Sequence, residues 1–393
     1  MEGSFETILQ ILFFSVCLDQ NNREQPSTMK QIIINTAKPK PITSRLLMIY
    51  TGGTLGMVYD KKGKHLVPFD FEQIQAKIPE LNRFDIEITV VSIEPLIDSA
   101  NVVPENWLEL AQIIGKNYND YDGFVVLHGT DTMAYSASAL SFLLEGLNKP
   151  VVFTGAQLPI GEARNDARIN LITALEIASA KKNNLSNTSI KSSAAVPEVC
   201  IYFDYFLWRG NRSRKVESRH FDAFSSQNYP HLAEVGIDIQ YNYNFIKPAI
   251  FSGENEAFKA HNKMDENVGI VKLFPGISLN LVETMLFHKE TKAIVLETYG
   301  SGTAPTDKKF LALLEKAIKN GLIIFNISQC YGGMVMQGMY ETSKHLEDIG
   351  VISGKDMTTE SAITKLMFLL GKNQTKHEIE KCLKQSICGE MTV

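Results

Sequence analysis

The sequence predicts an α/β protein with a larger N-terminal parallel-sheet α/β domain and a smaller C-terminal α/β domain. Three observations carry that prediction. From Arg45 to about Thr188, short β-rich runs alternate with helical ones, which is the pattern of a parallel sheet with crossover helices. A second alternation starts at Val268, and the 393 residues exceed what one compact core usually supports. The expected division is an extension over 1–44, an N-terminal domain over 45–240, a linker over 241–265 and a C-terminal domain over 266–393.

Taken in order, the extension contains the apolar run Ile8 to Cys17. Glu2 and Glu6 precede it where a secretory signal carries Lys or Arg, and no small-x-small cleavage site follows. It therefore reads as a disordered or optional segment, with Met29 as a possible alternative start and a polar stretch from Thr36 to Arg45. Leu46–Tyr50 and Gly123–Leu127 read as strands, and Trp107–Ile114 has helical period with Pro104 and Glu105 as its start signal. Asp131–Leu144 reads as a helix, Val151–Thr154 as a third strand and Ile169–Ala178 as the next helix. Lys181–Pro197 is polar and reads as an exposed insertion. The strand Val199–Phe203 follows, then the basic segment Trp208–Lys215. In the second domain the expected strands are Gly269–Leu273, Ala293–Leu296 and Leu322–Ile327, with helices over Asp307–Lys319 and Thr359–Leu370.

Charge and composition exclude some classes. The net charge is −5, which argues against a nucleic-acid or anionic-membrane surface. Five cysteines lie scattered without paired spacing, and with the eight histidines they form no zinc-binding pattern. A reducing compartment is expected, with neither a metal nor another cofactor. No run reaches the length of a membrane-spanning helix.

Two turns carry the chemistry: Thr51-Gly52-Gly53-Thr54-Leu55-Gly56 and His128-Gly129-Thr130-Asp131-Thr132. Each directly follows a strand-like run, and ligands of open α/β sheets bind outside the carboxyl ends of strands. The first turn matches neither GxGxxG nor GxxxxGK[ST]. It reads instead as glycines that free the Thr54 hydroxyl as a nucleophile, which then needs a base. Asp131 is either a helix cap or a group that binds an ammonium or orients a lysine. Lys215 is the candidate base or relay, against the reading that it is a solvated cation like Arg212, Arg214 and Arg219. His128 reads as a satisfied structural histidine, Cys330 as a small buried residue, Trp208 and Tyr205 as packing, and Met334–Met339 as second-domain core or turn.

These turns, with Thr154-Gly155-Ala156-Gln157-Leu158-Pro159 and Arg209-Gly210-Asn211-Arg212, resemble the bacterial-type L-asparaginase family in its cytoplasmic type I branch, from about Arg45 onward. The resemblance implies hydrolysis of L-asparagine to L-aspartate and ammonia through an acyl-threonine ester, in a homodimer or homotetramer. It puts Thr54 at the nucleophile, and Thr130, Asp131 and Lys215 at the proton-relay group. Asp98 and Ser99, together with Thr130 and Asp131, fall on the substrate-binding positions. Three departures accompany it. The loop Val58–His65 leaves open whether Tyr59 or His65 stands for the family's mobile tyrosine. Thr303 replaces an Asn, and Glu297 replaces the Arg of regulated members, which weakens the expectation of allosteric activation. The competing readings are a glutaminase-like subunit of a tRNA-dependent amidotransferase and a non-catalytic amino-acid or nucleotide binder.

Overall fold

The structure is a computed structural model, and it describes residues 28–36, 40–59, 66–68, 71, 74–182, 193–248, 257–338 and 341–392. The signal-like run at 8–17, His65, the Tyr59 side chain and the middle of the 181–197 insertion lie outside the described residues. In the N-terminal lobe the principal elements are β1 (Thr28–Asn35), β2 (Ser44–Tyr50), β3 (Ile86–Glu94), α1 (Pro104–Lys116), β4 (Gly123–Leu127), α2 (Met133–Leu143), β5 (Val151–Thr154), α3 (Ala167–Ser179), β6 (Val199–Phe203), β7 (Phe206–Arg209), β8 (Ala233–Val235) and β9 (Ile239–Tyr241).

These strands form one nine-stranded sheet in the order β1-β3-β2-β4-β5-β6-β7-β8-β9. The central pairings from β3 through β6 are parallel, and both margins are antiparallel. Every residue of β2 from Leu46 to Tyr50 is buried, as expected for a strand covered on both faces. Leu47 and Ile49 join a cluster with Trp107 of α1 and Phe142 of α2, while Leu46, Met48 and Tyr50 join Leu171 and Leu175 of α3 on the other side. That split by alternate residues is the period of a strand.

The C-terminal lobe comprises β10 (Val268–Lys272), α4 (Leu279–Leu286), β11 (Ala293–Thr298), α5 (Lys308–Lys319), β12 (Ile323–Ser328), α6 (Glu341–Asp348), β13 (Ile352–Ser353), α7 (Thr359–Gly371) and α8 (Lys376–Leu383). Its four strands are parallel in the order β10-β11-β12-β13. Helix α5 begins at an Asp307 cap that accepts from Lys309 N and Phe310 N, and it buries Phe310, Leu314 and Ala317. Helix α7 packs on α2 through Phe368 and Phe142, whose ring centroids lie 6.0 Å apart, so one apolar cluster runs across both lobes.

Two expectations for organisation are corrected. Within the 1–44 extension, residues 28–35 form β1, paired antiparallel to β3 along Thr28↔Glu94 to Asn35↔Glu87. The β-branched run Ile32-Ile33-Ile34 favours a strand, and β3 offered an open edge. Within the 241–265 linker, Lys259–Ala260 pairs antiparallel with Leu144–Glu145 and so docks onto the N-terminal lobe.

Candidate active site

Strand order places a switch point between β2 and β4, because β2 leads to β3 on one side while β4 leads to β5 on the other. The two strands end level, with Tyr50 opposite Leu127. Thr51 extends the pairing by donating from N and Oγ1 to Leu127 O, at 3.1 and 2.9 Å. The two threonine turns therefore leave the sheet side by side at the crevice where such folds bind ligands.

Glycine makes the turns fit. Gly53 has φ +87°, and a Cβ there would stand 2.6 Å from Gly129 N. Gly129 itself faces the loop after β3, where an added Cβ would meet Ser99 Oγ at 2.4 Å. The first two loops thus touch backbone to backbone and the third packs its Ser99 side chain on Gly129, approaches that a further side chain would prevent. Thr54 follows Gly53 directly and opens a short 3-10 turn, partly buried.

Lys215 completes the group from a two-residue strand, Arg214–Lys215, paired with Phe224–Ser225. Its Nζ donates to Thr130 Oγ1 at 2.7 Å and to Asp131 Oδ1 at 2.7 Å. The Lys215 side chain is 17 % exposed and Asp131 65 %, so an enclosed ammonium meets a carboxylate open to solvent. Asp131 is not the helix cap: α2 starts after Thr132, and Asp131 spends its carboxylate on the lysine. Asp98 is exposed and accepts from Ala100 N at 3.0 Å, whereas Ser99 is buried and its carbonyl accepts from Thr132 Oγ1 at 2.7 Å.

Gln157 is a further member that sequence reasoning left unassigned. It stands in the turn after β5, where its Oε1 accepts from Thr130 Oγ1 at 3.4 Å and its Nε2 donates to His220 O at 3.0 Å. Asp166 fixes that turn by accepting from Gln157 N and Leu158 N at 2.8 and 3.0 Å. The available signal was the same as for the other turns, a polar residue just past the carboxyl end of a parallel strand.

His128 is the structural histidine expected. Its Nδ1–H donates to Gly129 O at 2.7 Å, and its Nε2 accepts from Ser136 Oγ at 2.9 Å. Ser136 in turn accepts from Trp107 Nε1 at 2.9 Å, which assigns the tautomer. Burial, opposed by the Gly129 hydrogen bond, lowers its pKa to about 4, so the ring is neutral around pH 7.

Four side-chain expectations are corrected. Arg212 is buried in a pair with Asp356 at 2.9 Å, and Arg214 pairs with Glu360 at 3.1 Å while donating to Thr359 Oγ1 at 2.9 Å. Only Arg219 of the three neighbours is exposed. Cys330 is exposed, in a turn after β12 where Gly333 N closes onto its carbonyl. Tyr205 is 61 % exposed at the tight β6–β7 turn, while Trp208 packs against Phe206 and His231. Of the Met334–Met339 run, Val335 is buried and Met334 and Met336 face outward. Glu297 is buried at the end of β11, accepting from Thr359 Oγ1 at 2.6 Å and pairing with Lys272 at 3.2 Å. Thr303 closes a turn through Tyr299.

Comparison with known proteins matches this architecture. The family model described as asparaginase, N-terminal, matches residues 45–247, and the glutaminase/asparaginase C-terminal domain matches residues 267–383. L-asparaginase 1 of Escherichia coli (strain K12) is 40% identical over 348 residues, covering 88% of this chain and 98% of that protein. The 60 kDa lysophospholipase of Mus musculus is 40% identical over 373 residues, covering 89% of this chain and 63% of that longer protein. The crystal structure of L-asparaginase I from Vibrio cholerae O1 biovar eltor str. N16961 superposes with a TM-score of 0.78 at 38% identity, over 89% of this chain and 99% of that one. With both family domains present in order and the paired turns at the switch point, the chain belongs to the asparaginase family.

Proposed function

We propose that this chain is an L-asparagine amidohydrolase that converts L-asparagine and water to L-aspartate and ammonia. Thr54 attacks the side-chain amide carbon. The tetrahedral intermediate collapses with release of ammonia, leaving an acyl-threonine ester that water then cleaves to aspartate and free Thr54. Lys215, Thr130 and Asp131 act as the proton relay, and Thr130 and Asp131 join Asp98 and Ser99 in holding the substrate's α-ammonium and α-carboxylate. The observation that carries this reading is the position of Lys215 Nζ, 2.7 Å from both Thr130 Oγ1 and Asp131 Oδ1, in the crevice that the Thr54 turn borders. A hydroxyl nucleophile is weak until a neighbouring group manages its proton, and this triplet supplies one.

The enzyme is expected to act in the cytoplasm as a homodimer or homotetramer. Size-exclusion chromatography with light scattering measures the assembly. The decisive experiment is ammonia release against asparagine concentration, with glutamine run in parallel. Thr54→Ala should abolish release while circular dichroism stays native. Near-normal turnover by that variant would remove Thr54 from the role.

A further inference from the structure

A second cavity, of about 360 Å³, lies between the two lobes, and none of Thr54, Thr130, Asp131 or Lys215 lines it. Its walls come from the end of α2, the start of β6, helices α7 and α8, and the C-terminal segment at Ile387–Cys388. Phe142, Leu147, Val199, Phe368 and Ile387 give it an apolar body. Such a volume with a few polar groups is the ordinary form of a small-molecule site.

The charges around it do not cancel. Lining residues include three cations, Arg209, Lys247 and Lys372, against two carboxylates, Glu145 and Glu198. Glu198 is consumed by Arg209 Nε and Nη2 at 2.5 and 3.0 Å and by the Lys247 backbone N–H at 2.5 Å. Glu145 accepts from His261 Nε2 at 2.6 Å and from Lys372 at 3.5 Å. The Lys247 ammonium has no carboxylate partner among the described residues, and its charge acts on the Cys388 thiol in the cavity wall. Burial pushes that thiol well up, so it supplies no anion. A cation without a carboxylate partner among the described residues, set beside apolar walls, favours an anionic guest, since a charge leaves water at lower cost when it is paired.

We propose that this cavity binds a small amphipathic carboxylate, with its head group on Lys247 and Lys372 and its hydrocarbon against Phe142, Leu147, Phe368 and Ile387. Octanoate fits the description and serves as the probe. Because α2 belongs to one lobe and α7 and α8 to the other, an occupant bridges the lobes and raises the melting temperature.

Titration calorimetry on the full chain with octanoate, octanol and octylamine tests the head-group requirement without any variant. The expected result is saturable one-to-one binding of octanoate, with octanol and octylamine weaker by about tenfold or more. Lys247→Glu should weaken octanoate by a similar factor, and Leu147→Trp should abolish binding by filling the space. Both variants should keep the native dichroism spectrum and wild-type ammonia release. No saturable octanoate binding at millimolar concentration, equal binding of octylamine, or unchanged octanoate binding by folded Lys247→Glu would each overturn the proposal.

Discussion

Arg214 Nε stands 3.1 Å from Glu360 Oε1, which ties the short strand bearing Lys215 to the first turn of α7 in the opposite lobe. Adjacent residues of a strand point to opposite faces, so Arg214 and Lys215 work on different neighbours. Lys215 reaches Thr130 and Asp131, while Arg214 anchors the backbone from behind. Displacement of a reacting group by about 1 Å can cost on the order of a hundredfold in rate. We therefore expect Arg214→Met and Glu360→Gln each to lower kcat by about tenfold or more. The double variant should lose little beyond the worse single one, as for two residues of one link. Multiplicative losses in steady-state kinetics would show that the two act independently.

Lys215→Met removes both hydrogen bonds that Nζ donates, to Thr130 and to Asp131, whereas Asp131→Asn keeps the size of the partner and drops its charge. The first should reduce ammonia release by several orders of magnitude. The second should show a smaller kcat loss with a raised KM, because Asp131 is also assigned to substrate binding. Equal effects on kcat alone would remove the binding role from Asp131.

The buried neutral His128 makes stability fall on the acid side. Burial lowers its folded pKa to about 4 from the ordinary imidazole value of 6.5. Between these limits the unfolded chain takes up a proton that the folded chain resists. The resulting loss begins near pH 6.5 and levels off near 4, reaching roughly 3 kcal/mol at about 1.4 kcal/mol per pH unit. Chemical denaturation between pH 7 and 4.5 should show this slope, and His128→Asn should remove much of it. A variant with the wild-type slope would assign the acid sensitivity elsewhere.

The C-terminal segment is held by a fully buried ion pair. Lys365 Nζ lies 2.6 Å from Glu390 Oε1, and both side chains are 0 % exposed. Burial would raise the Glu390 carboxyl, but Lys365 and the N–H groups of Ile387 and Cys388 hold it below the usual range. Its stabilisation is therefore present above the ordinary carboxylate pKa and is lost as pH falls through the depressed value. Glu390→Ala strands the lysine and should cost about 3–5 kcal/mol, while a combined Lys365→Met, Glu390→Leu variant should cost far less. Urea midpoints distinguish the two.

The parallel core of both lobes was legible because its strands are unbroken apolar runs bounded by glycine or charge, as Gly123–Leu127 illustrates. Thr54, Thr130 and Asp131 were legible for the same reason, each lying one turn beyond such a run. Lys215 was legible only as a choice between base and solvated cation, since a two-residue strand has no periodicity and only the fold brings it to the Thr130 turn. Arg212 and Arg214 looked like surface cations because Asp356 and Glu360 lie far downstream in the sequence. Cys330 misled because an apolar strand precedes it, while its own turn faces outward. Helix α4 escaped notice because it is only eight residues long and leaves Leu281 67 % exposed.

The position of β1 sets a boundary for trimming the chain. It covers eight of the nine residues of β3, Glu87 to Glu94, and Thr36 closes the strand's start by donating from Oγ1 to Ile86 O. A version of the protein lacking residues 28–36 would keep every side chain of the candidate site yet bare a long, regular margin of unpaired amides and carbonyls. Such a margin recruits strands from other chains. Shortening from the N-terminus would then show itself first as self-association in concentrated solution, with turnover per folded molecule unchanged.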